Sequence, residues 1–144
     1  MINSPLLAPI VALVAWTLVM LIWMVIVRLP AMKKVGIDLK TRVGGHPGAL
    51  DGAIADKAQW KAHNYIHLVE QPTLFYAIVI VLILMGMDMP INVWLAWGYV
   101  GLRIAHSLVQ AIWNRIAVRF VLFALSTLCL LGLTVHAAAR LIHG

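Results

Sequence analysis

Residues 61–76 read KAHNYIHLVEQPTLFY, with ionisable residues in the first half and apolar residues in the second. His63, His67 and Glu70 are separated by four and three residues, so they share one face if the stretch is helical. Pro72 lacks the N–H that a continuous helix needs, which predicts a kink beside Glu70 or a place where neighbouring groups bond to the freed backbone. An apolar run follows from Leu74 onwards. Ionisable residues beside such a run face the interior of a helix bundle or an aqueous cavity, and they mark a candidate functional site.

The composition of the whole chain is that of an integral membrane protein. Of its 144 residues, 63% are hydrophobic and 11% are charged, and the mean hydropathy is +0.96. A soluble domain carries about 25% charged residues. The net charge of +6 is concentrated in one loop and near predicted helix ends, which favours a role in membrane topology over nucleic-acid binding. The single cysteine, Cys129, lies in an apolar run and excludes a disulfide within the chain.

Four segments are long enough to cross a bilayer core of about 30 Å as helices. Backbone groups in lipid must form hydrogen bonds within the segment, and the apolar runs lack the alternation of polarity that a barrel needs. The sequence therefore predicts an all-α fold, an integral membrane four-helix bundle in one domain over residues 1–144. The predicted spans are residues 5–29, 62–87, 91–113 and 118–141, and a long basic loop covers residues 30–61.

Basic residues decide the predicted orientation, because lysine and arginine accumulate in cytoplasmic loops. Seven of the 11 lysine and arginine residues lie in the first loop and its flanks, and the third link adds Arg115 and Arg119. We therefore expect both basic loops to be cytoplasmic and both termini to be periplasmic, in a bacterial inner membrane.

The third span carries a second polar face, formed by Tyr99, Arg103, His106, Gln110 and Asn114. These residues are separated by four, three, four and four positions, which places them on one side of a helix. Arg103 is the predicted partner of Glu70, since a carboxylate buried alone would become protonated or pair with a cation. The Glu70–Arg103 pair has two possible roles: it could be a structural ion pair between helices, or it could orient a ligand.

Arginines surround the predicted cytoplasmic end of the bundle. Arg115 and Arg119 lie four residues apart near the start of the fourth span, and with Arg103 and Arg28 they form a predicted cationic rim. Such a rim would hold an anionic molecule with carboxylates, and it would lower the pKa of a bound thiol. The alternative for Arg115 and Arg119 is that they extend to lipid phosphates.

These stretches together resemble a known family. Lys61–Pro72 (KAHNYIHLVEQP), followed by LFY at residues 74–76, is similar to the second-helix signature of the MAPEG family, the membrane-associated proteins in eicosanoid and glutathione metabolism. Trp97–His106 and Asn114–Phe120 resemble the family's third helix and the start of its fourth. Chain length, four spans and a basic first loop also fit, so the resemblance covers nearly all of the chain.

The resemblance implies a homotrimer of four-helix subunits, with glutathione bound between neighbouring subunits near the cytoplasmic face. The family's acid in the second helix matches Glu70. The position three before it, usually asparagine in members that use glutathione, is His67 here, and the position seven before it, often arginine or lysine, is His63. The arginine that activates the thiol matches Arg119 best and Arg115 second.

We therefore expect a glutathione-dependent transferase or peroxidase that acts on lipophilic electrophiles. Its expected partners are glutathione as co-substrate, membrane lipid, a lipophilic substrate and further copies of the chain, and no nucleic acid. Arg119 or Arg115 would hold the thiolate. The residues expected to bind glutathione are His63, Asn64, His67, Glu70, Tyr99, Arg103, His106, Gln110 and Arg28.

Two other functions fit the same residues. One is a non-catalytic lipid-binding or scaffold protein of the same family, and the other is a small proton-coupled transporter that uses Glu70. A metal site is not expected, because di-iron bundles need about four carboxylates and the polar faces here hold only Glu70.

Overall fold

The computed structural model describes residues 3–46 and 48–143, and every regular element in that part of the chain is a helix. The all-α class predicted from the sequence is therefore confirmed. The elements are α1 (Leu7–Lys34), α2 (Asp56–Glu70), α3 (Pro72–Leu84), α4 (Pro90–Leu108), a π-helical turn (Val109–Trp113) and α5 (Ile116–His143).

Helix α1 is longer than the predicted first span and contains Pro30. It runs to Lys34, past the predicted end at residue 29. A proline removes one hydrogen bond from a helix interior. The turn beyond it is held by packing, because Met32 contacts a small apolar cluster that includes Leu50 and Ile54. The predicted basic loop is therefore partly helical at its start.

The segment between α1 and α2, called the connecting segment below, consists of turns and irregular backbone over its described residues 35–46 and 48–55. Its second half packs back onto the two helices. Leu50 and Ile54 are buried against Met32 of α1 and Ala58 of α2. The connecting segment therefore ties together the polar ends of α1 and α2.

Helices α2 and α3 form one interrupted helix, broken beside Pro72. α2 ends at Glu70, Gln71 keeps helical backbone angles, and α3 begins at Pro72. Thr73 Oγ1 donates a hydrogen bond to the main-chain oxygen of Glu70 over 2.6 Å. The helix is interrupted at the place where the sequence predicted a kink, and the interruption leaves carbonyl oxygens at the end of α2 open to other donors.

Helix α4 passes into α5 through the π-helical turn, in which hydrogen bonds join residues five apart. The Asn114 N–H closes it by donating to the main-chain oxygen of Val109 over 2.6 Å. Asn114 has a left-handed backbone with φ of 53°, a conformation that asparagine adopts more readily than most residues. Helix α5 begins at Ile116, so the direction of the chain reverses within a short link.

Helix α4 packs mainly against α5, and α1 packs mainly against α2. Small residues let α4 and α5 approach closely. A Cβ added at Gly98 would lie 3.4 Å from Sγ of Cys129, and one added at Gly132 would lie 3.1 Å from the Leu95 side chain. Cys129 is therefore a half-buried packing residue. The main core contains Leu13, Met20, Leu68, Phe75, Val79, Leu82 and Leu133.

Among the described residues, three helices are long and apolar enough to cross a membrane, namely α1, the interrupted helix Asp56–Leu84, and α5. Helix α4 has 19 residues, but it is not among them. Its buried face carries polar side chains, including Asn92, Arg103 and His106, which lower its hydropathy. The crossing of a membrane by α4 stays a prediction.

Candidate functional site

The two polar faces predicted from the sequence meet at a cavity beside the break between α2 and α3, called the Arg103 cavity below. Its volume is about 460 Å³. Helix α2, the start of α3, α4 and α5 all contribute to it. Because charged side chains from separate helices meet here, this cavity is the candidate functional site. Its lining residues are His67, Glu70, Gln71, Thr73, Leu74, Arg103 and Phe123.

Arg103 is the largest fully buried side chain among the described residues and is 1% exposed. Its Nη2 donates a hydrogen bond to the main-chain oxygen of His67 over 2.6 Å. Its guanidinium carbon lies 5.9 Å from the centre of the Phe123 ring. Within residues 3–46 and 48–143, Nε and Nη1 have no hydrogen-bond partner. A buried guanidinium with two unpaired nitrogens would be stabilised by an anion.

The Glu70 carboxylate lies at the mouth of the Arg103 cavity. Its Oε2 is 3.6 Å from Nδ1 of His67, and 62% of the Glu70 side chain is exposed. The predicted ion pair between Glu70 and Arg103 is wrong, because Arg103 donates to a main-chain oxygen instead. The break at Pro72 explains this difference. It makes Glu70 the last residue of α2, with an outward side chain, and it leaves a carbonyl one turn earlier for Arg103.

Two histidines form a polar wall next to Arg103. The rings of His67 and His106 meet edge to face with centres 6.0 Å apart. His106 is 4% exposed, and its ring centre lies 6.5 Å from that of Phe123. The charges of Arg103 and Arg119 both act on the two rings. The cavity therefore has a cationic surround with one carboxylate at its edge.

The start of α5 distinguishes Arg119 from Arg115. Arg119 Nη1 donates a hydrogen bond to Oδ1 of Asn114 over 2.7 Å, and its charge is near enough to act on the rings of His67 and His106. Arg115 is exposed, and its guanidinium carbon lies 4.7 Å from the centre of the Trp113 ring. Neither arginine lines the Arg103 cavity. Arg119 is the one of the pair whose charge acts on His67 and His106.

Four of the predicted binding residues are buried in the bundle without lining the cavity, namely Asn64, Tyr99, His106 and Gln110. Asn64 Nδ2 donates to Ser107 Oγ over 2.7 Å, which joins α2 to α4. The Tyr99 hydroxyl donates to Gln71 Oε1 over 3.4 Å, which joins α4 to the break before α3. The polar face predicted on the third span is therefore a buried face, and part of it connects helices.

His63 lies outside the Arg103 cavity and faces the connecting segment. Its Nε2 is 2.9 Å from Oδ1 of Asp51, which also accepts a hydrogen bond from Gln59 Nε2 over 2.5 Å. The Gln59 hydrogen bond, helped by His63, holds the pKa of Asp51 below its ordinary value. A cavity of about 220 Å³ lies beside these side chains and is also lined by Trp60 and Asn114.

Arg28 lines a different cavity, between α1 and the connecting segment, with a volume of about 340 Å³. That cavity shares no lining residue with the Arg103 cavity. The fold therefore brings His67, Glu70 and Arg103 together and separates Arg28 from them.

Sequence reasoning missed four residues that line the Arg103 cavity: Gln71, Thr73, Leu74 and Phe123. Phe123 could have been found, because it lies four residues after Arg119 and so shares its face of α5. The other three surround Pro72, and they turn toward the cavity because the helix is broken there. The i, i+3 and i, i+4 spacing of a continuous helix therefore does not identify these three residues as cavity residues.

Comparison with known proteins gives one match. The model of the MAPEG family matches residues 6–139 of the chain. Neither the search of curated proteins nor the search of solved structures found a match. The matched range begins just before α1 and ends within α5, so it includes both polar faces and the Arg103 cavity. With its membrane-spanning helices, the chain is an integral membrane protein that belongs to the MAPEG family.

Proposed function

We propose that the protein is a membrane-bound, glutathione-dependent transferase or peroxidase that acts on lipophilic electrophiles. The observation that carries the proposal is Arg103. It is buried, it lines a cavity of about 460 Å³, and within the described residues two of its nitrogens are unpaired. A buried charge without a partner is costly, and a carboxylate or thiolate of a ligand would supply that partner. Membership of the MAPEG family supports glutathione as this anion.

Positive charge exceeds negative charge around the Arg103 cavity, which favours a thiolate over a neutral thiol. The charges of Arg103 and Arg119 both act on His67 and His106, while the carboxylate that lines the cavity, Glu70, is mostly exposed. A positive charge beside a thiol lowers the pKa of the thiol. We assign this role to Arg119, because Asn114 fixes Nη1 and, among the residues described, Nε is buried without a partner. The thiolate would attack the electrophilic atom, form a bond from sulfur, and displace a leaving group with its electron pair.

The proposal includes a homotrimer in which a neighbouring subunit covers the open side of the cavity. Two of its lining side chains, Glu70 at 62% and Leu74 at 61%, are exposed in the single subunit. A lipophilic substrate would reach this side from lipid. Anionic glutathione would arrive from water, attracted by the basic residues of the connecting segment.

The test is a titration of the detergent-purified protein with glutathione, followed by the ultraviolet absorbance of the thiolate. We expect a saturable thiolate signal near neutral pH. Arg119→Gln should reduce the thiolate fraction about tenfold, which corresponds to the loss of roughly one unit of pKa depression in the bound thiol. Arg140→Gln is the matched control, because Arg140 is an exposed arginine in the last turns of the same helix.

The results of this titration would test the role of Arg119 separately from the enzyme proposal as a whole. An unchanged thiolate signal in Arg119→Gln would remove Arg119 from the chemistry. A wild-type protein that shows no saturable signal, and that instead carries bound lipid through purification, would overturn the enzyme proposal. That result would favour the non-catalytic lipid-binding alternative.

A further inference from the structure

A second cavity, called the α1 cavity below, lies where the polar end of α1 meets the connecting segment. Its volume is about 340 Å³. One wall comes from α1 and the other from the connecting segment, so the cavity does not depend on α3, α4 or α5. Most of its lining is apolar and includes Met24, Val25, Leu29, Met32, Leu39 and Leu50.

The polar part of the α1 cavity is basic. Arg28, Arg42 and His46 line it, and no acid is among its described lining residues. Arg28 Nε is buried and has no hydrogen-bond partner in the described part of the chain. Asp51 is near enough for its charge to interact with Arg28, but its Oδ1 already accepts contacts from two other side chains. The balance of charge therefore favours an anionic ligand.

The length of α1 places Arg28 where a lipid phosphate is expected if Leu7 lies at the opposite edge of the hydrocarbon core. Arg28 is 21 residues from Leu7, where α1 begins. At 1.5 Å per residue, this places Arg28 about 30 Å along the helix, which matches the thickness of the hydrocarbon core. On the side toward Leu7, Ile22 is 59% exposed and Val25 is 41% exposed, so this flank of α1 is open to lipid chains.

We propose that the α1 cavity binds one anionic phospholipid, with its phosphate between Arg28 and Arg42 and an acyl chain along the exposed flank of α1. Basic pockets on the cytoplasmic side of membrane helices recognise such headgroups. Free phosphate offers the same anionic group, but it would leave the apolar lining unused. The site is separate from the proposed thiol chemistry, and its failure would leave the proposed function untouched.

The test uses native mass spectrometry of the full-length protein in detergent with phosphatidylglycerol or phosphatidylcholine of identical acyl chains. We expect one phosphatidylglycerol to be retained in preference to phosphatidylcholine. The double variant Arg28→Gln/Arg42→Gln should lower its affinity about thirtyfold, given the usual contribution of each arginine beside a headgroup. Lys34→Gln is the matched control, because it removes one charge from the same end of α1 without lining the cavity.

A second variant fills the space and keeps both arginines. Gly45 lines the α1 cavity, and a Cβ added there meets no heavy atom within 4 Å. Gly45→Phe should therefore fold but no longer retain phosphatidylglycerol. It can replace the double variant in the test if that variant does not fold.

Three outcomes would overturn the proposal. Equal binding of both lipids would indicate unspecific lipid around the helices, as would a loss in Lys34→Gln as large as in the double variant. Displacement of phosphatidylglycerol by inorganic phosphate at equal concentration would indicate an anion site that does not recognise lipid.

Discussion

Arg103 brings three guanidinium nitrogens into the bundle, and the described residues satisfy one of them. The other two stay unpaired beside a cavity, in a region where water is scarce. The free energy of folding therefore includes a penalty for desolvating the guanidinium of Arg103. An anionic ligand would offset part of this penalty when it binds. A structural arginine would instead have all its nitrogens paired within the protein.

The first residue-level prediction concerns Arg103→Met, which replaces the cation by an apolar side chain. The affinity for glutathione, measured by calorimetry in detergent, should fall about 10- to 100-fold, because hydrogen bonds to charged groups contribute about 1.5–3 kcal/mol each. The melting temperature should not fall, since replacing a buried ion by a packed apolar group is often neutral or stabilising. Arg103→Lys keeps the charge without the planar fork and should bind with intermediate affinity.

An opposite result would identify a structural role. If Arg103→Met lowers the melting temperature and leaves the affinity unchanged, the hydrogen bond to the main-chain oxygen of His67 is the whole purpose of Arg103.

The sequence predicted which residues face the interior better than it predicted their partners. Spacings of three and four identified Tyr99, Arg103, His106 and Gln110, and all four are buried. The expected partner of Arg103, a carboxylate, was wrong, because a main-chain oxygen made available by the end of α2 lies within reach. Side-chain periodicity carries no information about such backbone acceptors.

At the scale of the elements, proline and asparagine determine where the two polar faces are interrupted. Pro72 follows the end of α2, and its effect was visible in the sequence because a proline removes one main-chain hydrogen bond from a helix. Pro30 shows the limit of that rule, since α1 continues through it where packing onto the connecting segment holds the next turn. The π-helical turn before Asn114 has no comparable signal in the sequence, because it depends on how α4 and α5 pack.

Two substitutions of Asn114 separate its backbone from its side chain. Asn114→Gly keeps the left-handed backbone without steric cost, but it removes the oxygen that holds Arg119. The melting temperature should be nearly unchanged, while the thiolate absorbance of bound glutathione falls. Asn114→Ala loses the same contact and also costs about 1 kcal/mol of stability, because a Cβ is disfavoured in this conformation. A wild-type thiolate signal in Asn114→Gly would show that Arg119 does not need Asn114 for its position.

The docking of the connecting segment onto α2 should depend on pH through Asp51. The pKa of Asp51 is lower in the folded protein than its ordinary value. Its contacts therefore stabilise the folded state above about pH 4, and this contribution is lost as the pH falls through the lower, folded value. The protection factors of residues 48–63, which correct hydrogen exchange for its intrinsic dependence on pH, should fall in that window, modestly because Asp51 is exposed. In Asp51→Asn the protection factors should not change with pH, and matching profiles for the two proteins would contradict the prediction.

At the scale of the whole molecule, the arrangement is a helical membrane protein whose polar residues are concentrated at one end and inside. Composition alone was enough to predict this class, because no soluble domain needs so many apolar residues on its surface. The number of crossings is harder to predict. α4 is less apolar than the other long helices because it carries much of the buried polar face, including Arg103 and His106.

We predict that α4 crosses the membrane nonetheless, which gives four crossings and places both termini on one side. Alkaline phosphatase fused after the C-terminus should be active outside the cytoplasm, and green fluorescent protein fused at the same point should be dark. Fusions after residue 46, in the connecting segment, should give the reverse pattern, because this segment follows the first crossing and is flanked by basic residues. A fluorescent C-terminal fusion would mean three crossings, with α4 packed inside without spanning.

The π-helical turn also determines which changes in chain length the protein can tolerate. A π-helical turn holds about one residue more than an α-helical turn, and each residue rotates the chain by about 100°. Deleting one residue within Val109–Trp113 would turn Arg119 and Phe123 away from Arg103 by that angle, even if all helices still formed. A deletion of the same size near Gly44 would only shorten a loop, which proteins accept at little cost. Length variation in this protein should therefore be confined to the connecting segment, and the distance along the chain from Arg103 to Arg119 should stay fixed.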